Sequence, residues 1–419
     1  MIDELTLAER LISYDTSRSE EIVAAAGFVK GWLESRDIEV RHHDHNGLPV
    51  LVAEVGPSAG TAEHGRSAAA DEFPCVVFHG HLDVVPAHSE QFQPRIEGDR
   101  LIGRGAYDMK GGLAGMMCAL KDLEQQGRVR VRLVCVPDEE SEELDERSTD
   151  DIVSRGLGGE FAITGEPTNL HIGVEAKGVL AMLIEVHGRS AHSSTPWLGD
   201  NAVLKAIDVF RAIESLPFSR ESSEMFDRPS INLGRIKGGD ALNKVPDECS
   251  MAVDIRYLPG QDPAEILAQV GRIPEIEVAR TFIFPPVSVA RGNPYVQALR
   301  EAVARSIPEK EVMSVGRDGA SDAVAFMAAG IPAVEFGPDG AGHHGPDEWV
   351  SVSSLARYRR SLVSFVRTLP IWLERPAGHE DARVGVRKSS ARDDLIREDS
   401  RSAGEDCRSG LTAIDGGLV

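Results

Sequence analysis

Short apolar runs alternate with helical repeats of apolar residues in the first part of the chain. Apolar positions spaced three and four residues apart predict helices over residues 20–36 and 111–125. Short, mostly apolar runs predict strands at residues 50–55, 75–78, 129–136 and 162–164. Such alternation is typical of an α/β domain with a largely parallel sheet, which binds its ligands at the carboxyl ends of the strands. A Gly-, Ala- and Ser-rich stretch at residues 56–72 predicts a surface insertion.

The pattern changes near residue 178. The predicted elements then follow the order β-α-β-β-α-β, at residues 179–186, 201–214, 230–236, 249–257, 263–270 and 276–283. Because this is the order of the ferredoxin-like motif, we predict an inserted α+β domain over residues 178–286. The α/β pattern then resumes, with helices at residues 294–305, 321–329 and 355–366 and a strand at 331–336. The first domain therefore comprises residues 1–177 and 287–375.

Residues 376–419 contain no aromatic side chain and little apolar surface. Since burial there cannot offset the entropy of ordering, we predict a disordered tail, with a short docked helix near Asp394–Asp399 as the alternative.

Charge and cysteine content exclude several classes of protein. The 419 residues carry a net charge of −22, with 67 acidic against 45 basic side chains, which argues against a nucleic-acid partner. The five cysteines form no CxxC pair, so reduced thiols in a cytoplasmic protein are expected. The acidic N-terminus lacks an apolar signal region, and no apolar run is long enough to span a membrane, so no membrane partner is expected.

Polar clusters follow the predicted strands of the first domain. Their imidazole and carboxylate side chains are His81, Asp108, Glu140, Glu166 and His344. Taken singly, these groups have ordinary explanations: Asp108 could cap the helix that follows, and the acids around Glu140 could form a solvated loop. Taken together, they are ligands that suit zinc, cobalt or manganese, and they suffice for two ions if one carboxylate bridges. Glu139 would then be free to act as a general base.

The motifs in this order resemble those of the M20 family of metallopeptidases and amidohydrolases. The resemblance runs from about residue 5 to about residue 370 and is strongest to the acetylornithine deacetylase and succinyl-diaminopimelate desuccinylase branch. The motifs that carry it are HGHLDVVP, GRGAYDMKGG, PDEE, GEPT, GRSAHSS and HHGPDEW. It implies a zinc-peptidase-like catalytic domain with a lid, and hydrolysis of the amide bond of a small N-acyl amino acid in arginine or lysine biosynthesis.

The resemblance also implies a role for each site residue. His81, Asp108 and Glu166 would hold one Zn²⁺, and Asp108, Glu140 and His344 a second, with Co²⁺ or Mn²⁺ as substitutes. Asp83 would orient these ligands and Glu139 would be the base, whereas His79 and His343 match no ligand position and are expected to be ordinary loop residues. The inserted domain would form a homodimer, in which His192 stabilises the oxyanion in the partner's active site. Asn243 and Arg256 would bind the substrate, although Arg256 could instead pair with an acid of its own strand.

One segment departs from the family pattern and several alternatives stay open. Family members often carry small residues and a glycine after the paired glutamates, where this chain has the acidic loop Ser141–Arg147. A succinyl group would require a cation to bind its carboxylate, and the candidates are Lys177, Arg189, Lys237 and Lys244. A broad-specificity dipeptidase or aminoacylase is the alternative function. A non-catalytic metal-binding relative is disfavoured because Glu139 and all five ligands are present.

Overall fold

The computed structural model describes residues 3–57, 73–141, 147–375 and 386–387. Most of the predicted insertion at residues 56–72, most of the acidic loop and nearly all of the predicted tail therefore lie outside the described residues. The helices are α1 (Asp3–Ile12), α2 (Ser19–Glu34), α3 (Gly111–Asp122), α4 (Ser148–Ser154), α5 (Ala202–Ser215), α6 (Pro263–Val270), α7 (Pro294–Ser306), α8 (Ala323–Ala328) and α9 (Val352–Leu373).

The strands, in chain order, are β1 (Val40–His45), β2 (Leu48–Val55), β3 (Cys75–His81), β4 (Arg95–Glu97), β5 (Arg100–Ile102), β6 (Arg130–Val136), β7 (Phe161–Thr164), β8 (Ile172–Ala176), β9 (Gly178–His187), β10 (Ser230–Gly238), β11 (Glu248–Tyr257), β12 (Ile276–Phe284), β13 (Val287–Ser288), β14 (Ser314–Arg317), β15 (Ala333–Glu335), β16 (Gly340–Ala341), β17 (Trp349–Ser351) and β18 (Val386–Arg387).

The largest sheet has the strand order β1-β2-β6-β3-β7-β15-β8-β14-β18, and β13 pairs with β8. Its centre is parallel, because β3 pairs in parallel with β6 and β7, and β7 with β15. Every position of β3 is buried, as expected for a strand covered on both faces. The predicted α/β class with a mostly parallel sheet is confirmed.

The register of the parallel strands brings their carboxyl ends to one edge of the sheet. His81, the last residue of β3, pairs with Val136, the last residue of β6. Thr164, which ends β7, pairs with His79 of β3 and with Glu335, which ends β15. The turns that follow these four strands therefore begin side by side.

Helix α3 packs closely on the same edge. Ten of its residues are buried, so it is apolar on all sides and lies inside the domain. A side-chain carbon at Gly112 would lie only 2.7 Å from the carbonyl oxygen of Gly165, in the turn after β7. This glycine therefore lets the start of α3 approach the turn that carries Glu166.

A second sheet forms within residues 178–284 and is antiparallel, with the order β10-β11-β9-β12. Alternate residues of β9 are buried, and they join a separate apolar core with α5 and α6. Order and pairing are those of the ferredoxin-like motif that the sequence predicts. The domain limits at residues 178 and 286 stay a prediction.

A small third sheet, β16-β17-β5-β4, lies along the chain next to the candidate ligands. Strand β5 leads directly into the segment that contains Asp108, and β17 follows the segment that contains His344. Within the described residues, no helix combines the length and apolar character that a membrane span requires.

Candidate metal centre

Three side chains from separate turns meet at the carboxyl edge of the large sheet. His81 ends β3, Glu140 follows β6, and Asp108 lies in the turn before α3. One ligand-type atom from each lies within 4.8 Å of the others, and His81 Nε2 is 3.3 Å from Asp108 Oδ1. Residues far apart in sequence thus form a compact group of metal-ligand chemistry.

His344 extends this group on the side away from His81. Its Nε2 atom lies 3.0 Å from Glu140 Oε1 and 3.4 Å from Asp108 Oδ2. Asp108 therefore presents one carboxylate oxygen to each histidine, as a bridging ligand between two ions would. Its predicted alternative role as a helix cap is wrong, because Lys110 is the residue that precedes α3.

Glu166 lies beside the group with an unsatisfied carboxylate. It is buried, and its Oε1 atom has no hydrogen-bond partner. Burial raises the pKa of Glu166 well above its ordinary value, and the nearby charges of Asp108 and Glu139 raise it further. A cation at this position would stabilise the ionised carboxylate, so the residue fits a metal ligand.

Hydrogen bonds bias the two histidines toward holding a proton when no cation is near. Contacts with Asp108 and Glu140 raise the pKa of His344 to about 10. Burial lowers the pKa of His81, but hydrogen bonds to Asp108 and Asp83 outweigh burial and leave it well above its ordinary value. The group thus concentrates negative charge that attracts protons, and metal ions compete for the same atoms. The donor set and its charge fit two divalent ions of the zinc type.

Asp83 connects two of the candidate ligands. The backbone N–H of Glu140 donates to Asp83 Oδ2 at 2.7 Å. His81 Nδ1 lies 2.9 Å from the backbone oxygen of Asp83, which leaves Nε2 directed at Asp108. This arrangement supports the predicted orienting role, because the second ring nitrogen of a ligating histidine is normally fixed by such a contact.

A buried ion pair that the sequence did not predict holds the other side of the site. The backbone N–H groups of Gly105, Tyr107 and Asp108 each donate to the Glu348 carboxylate at 2.9 Å. Arg104 Nη1 donates to the same carboxylate at 2.7 Å, and its Nη2 donates to the backbone oxygen of His344 at 3.1 Å. The ion pair thereby fixes the backbone at two candidate ligands, Asp108 through Glu348 and His344 through Arg104.

The predicted base lies at the edge of this centre. Only 12% of the Glu139 side chain is exposed, so the alternative of a solvated acidic loop is wrong here. Burial raises the pKa of Glu139 well above its ordinary value, and Asp322 and Glu140 raise it further against the opposing charges of His81 and Arg147. A carboxylate with a raised pKa is the form that takes up a proton near neutral pH.

Two histidines lie outside the ligand group, as the resemblance implies. His79 is nevertheless no loop residue: it lies within β3, is fully buried, and its Nε2 is 2.9 Å from the Thr149 hydroxyl. Its pKa is lowered to about 4 by burial. His343 is exposed, and its ring centre is 6.1 Å from that of Tyr107.

The remaining predicted residues lie in the second sheet region. His192 is exposed, and its Nδ1 contacts the Ser194 hydroxyl at 2.8 Å. Ser193 N–H donates to the backbone oxygen of Asn243, so the loops of His192 and Asn243 are adjacent. Arg256 Nε donates to Asp254 Oδ2 at 3.1 Å, which is the in-strand pairing that the sequence left open as an alternative.

The model of peptidase family M20/M25/M40 matches residues 77–368. The chain belongs to this family. A succinyl-diaminopimelate desuccinylase of Sphingopyxis alaskensis is 30% identical over 67% of this M20 chain and 78% of its own length. Among solved structures, an M20 metallo-carboxypeptidase of Sulfolobus solfataricus has a TM-score of 0.70 at 21% identity, over 88% of this chain and 100% of its own. The Bacillus subtilis YXEP protein, described as a dinuclear metal-binding peptidase, has a TM-score of 0.61 at 16% identity, over 88% and 97%.

Membership of the M20 family and the assembled ligand group agree on the type of activity. This M20 chain is a metal-dependent hydrolase of linear amide bonds.

Proposed function

We propose that the protein hydrolyses the amide bond of a small N-acyl amino acid, with N-succinyl-diaminopimelate and N-acetylornithine as the two leading substrates. The observation that carries the proposal is the placement of Asp108 between His81 and His344, with Glu139 beside them. The desuccinylase name of the Sphingopyxis relative supports the succinyl substrate.

Two Zn²⁺ ions per chain are proposed, with Co²⁺ or Mn²⁺ as substitutes. His81, Asp108 and Glu166 would hold one ion, and Asp108, Glu140 and His344 the other. When bound, such ions polarise a carbonyl group and make water a nucleophile near neutral pH.

The chain's own residues would then handle protons and orientation. Glu139 accepts the proton of the attacking water on its carboxylate and returns it to the leaving amine. Burial raises the pKa of Glu139, which suits it to both transfers. Asp83 keeps Nε2 of His81 directed into the site, because its backbone oxygen contacts Nδ1 of the same ring, and its carboxylate holds the backbone of Glu140. Asp83 takes no part in the reaction itself. Asn243 and Arg256 would bind the amino-acid portion of the substrate. Arg256 would then give up its hydrogen bond to Asp254 and contact the substrate instead.

The second sheet region is proposed as a lid that also forms a homodimer. Large apolar side chains stand exposed near His192, including Trp197 at 74% exposure, Leu198 at 60% and Leu242 at full exposure. Exposed apolar groups of this size mark interaction surfaces. Because His192 has no metal-ligand partner beside it in the described residues, we propose that it stabilises the oxyanion in the partner's site.

A substrate panel tests the proposed function. The zinc-supplemented protein is assayed with N-acetylornithine, N-succinyl-diaminopimelate, other N-acyl amino acids and simple dipeptides. Turnover of an N-acyl amino acid at least about tenfold above any dipeptide supports the proposal, since tenfold corresponds to one pocket contact. Preference for dipeptides would favour the dipeptidase alternative. The cytoplasmic location is proposed with the biosynthetic role.

A further inference from the structure

The residue that ends the atypical acidic loop contacts the proposed base. Arg147 directly precedes α4, and its Nη1 atom lies 3.7 Å from Glu139 Oε1. Both side chains are largely shielded from water, with 24% and 12% of their surfaces exposed. A charge pair in this setting is screened less than one at the surface. The segment that departs from the family pattern therefore places a positively charged side chain beside the proposed base.

Arg147 is itself held by a buried acid from a distant part of the chain. Its Nη1 donates to Asp322 Oδ1 at 3.3 Å, and only 2% of the Asp322 side chain is exposed. The other oxygen of Asp322 accepts from the Thr149 hydroxyl and lies 3.4 Å from His79 Nε2. Asp322, which directly precedes α8, thus has partners in β3, in α4 and at the residue before α4, and it is fixed in place.

The backbone at Arg147 is fixed as well. Its N–H donates to Asp150 Oδ2 at 3.3 Å, and the N–H of Ser148 donates to Asp138 Oδ2 at 3.0 Å. Asp138 directly precedes Glu139, so the start of α4 is attached to the turn that carries the base. Arg147 is therefore held both through its backbone N–H and through its Nη1 atom.

We infer that Arg147, anchored by Asp322, is a positioning residue that holds the Glu139 carboxylate in the orientation needed for proton transfer. The inference rests on the proposed function, because it assigns Glu139 the role of base. The Nη1 atom of Arg147 lies near both carboxylates, Asp322 and Glu139, whereas the small residues common in the family could contact neither.

Steady-state kinetics of variants at this position test the inference. Arg147→Met is expected to lower kcat by about 10- to 100-fold, the usual cost of a misplaced catalytic group, with KM changed less than about twofold. Metal content should match that of the wild type. Arg147→Lys should recover part of kcat, because it restores the charge on a side chain of different shape. The matched control is Arg155→Met, directly after α4. The Arg155 side chain is 49% exposed and pairs with Asp151 of the same helix, and its replacement should keep kcat.

A second background shows whether Arg147 acts through the base. In a Glu139→Gln protein, adding Arg147→Met should lower the residual kcat no further. An equal loss of kcat in both backgrounds, or unchanged kcat in Arg147→Met alone, would overturn the inference. Thermal midpoints of the two single variants and the double variant supply a readout that needs no substrate. Non-additive shifts are expected for side chains in contact, and additive shifts would refute the contact.

The two failures are distinguishable. If the wild type turns over none of the amides in the panel, the proposed function is wrong, and the thermal midpoints alone decide whether Arg147 holds Glu139. If the wild type is active but Arg147→Met matches it, the function stands and the positioning role is wrong.

Discussion

Replacing Glu348 by Gln perturbs the buried ion pair without changing the size of the side chain. Glu348 Oε1 accepts the N–H groups of Tyr107 and Asp108, and Oε2 accepts Gly105 N–H and Arg104 Nη1. The amide of Gln keeps one acceptor oxygen. Its NH₂ group then faces two donors that have lost their acceptor.

The cost follows from burial. Only 4% of the Arg104 side chain and 1% of the Glu348 side chain are exposed. Each unsatisfied buried donor costs about 1–3 kcal/mol, and removing one partner of a buried ion pair costs about 3–5 kcal/mol. These two figures describe the same loss, so we expect Glu348→Gln to lower the free energy of unfolding by about 3–5 kcal/mol. Because the backbone at Asp108 and His344 is loosened, zinc affinity should fall by about 10- to 100-fold.

Urea unfolding of the metal-free protein measures the first effect, and competition with a chromophoric zinc chelator measures the second. Glu309→Gln is the matched control, since Glu309 pairs with Arg357 at 2.9 Å but is 56% exposed. The control should change stability by less than about 1 kcal/mol and leave zinc affinity unaltered. A Glu348→Gln protein that also loses less than about 1 kcal/mol and binds zinc normally would refute the positioning argument.

Three further outcomes are expected. Glu139→Gln should retain metal but lose about two to four decades of turnover, and loss of metal would instead make Glu139 a ligand. Mixing inactive His192→Ala chains with inactive Glu139→Ala chains should restore activity by subunit exchange, and verified exchange without activity would contradict action across a dimer. Burial raises the pKa of Cys75 to about 11 and of Cys135 to about 12, from 9.0. The unfolded chain therefore releases these protons first, and urea unfolding should show stability falling between pH 9 and pH 11. Cys135→Ala should flatten that fall, and an unchanged slope would count against this cause.

Apolar runs and local caps account for the elements that the sequence predicted well. Helix α6 matches its prediction because Pro263 begins it and the Asp262 side chain accepts the N–H of Ala264. Strand β1 was missed because its residues are mostly polar and exposed, and only pairing with β2 makes it a strand. His79 was misplaced in a loop, since β3 continues past Phe78 to His81 and His79 is paired with both β6 and β7.

The candidate ligands were predictable because each follows a strand in a short motif. The residues that hold these ligands and the base in place were not predictable. Arg104 and Glu348 are 244 positions apart, and Arg147 and Asp322 are 175 apart, so their contacts exist only in the folded chain. The local signal for Arg104 and Glu348 was their place inside motifs already singled out, GRGAYDMKGG and HHGPDEW. Arg147 ended the one segment that departed from the family pattern.

The number of metal ions bound per chain tests the central claim most directly. The claim is that His81, Asp108, Glu140, Glu166 and His344 form one site for two ions. Elemental analysis of zinc-replete protein after extensive dialysis should give about two ions per chain, and chelation should abolish amide hydrolysis. A stoichiometry near zero, together with hydrolysis that survives chelation, would contradict the account.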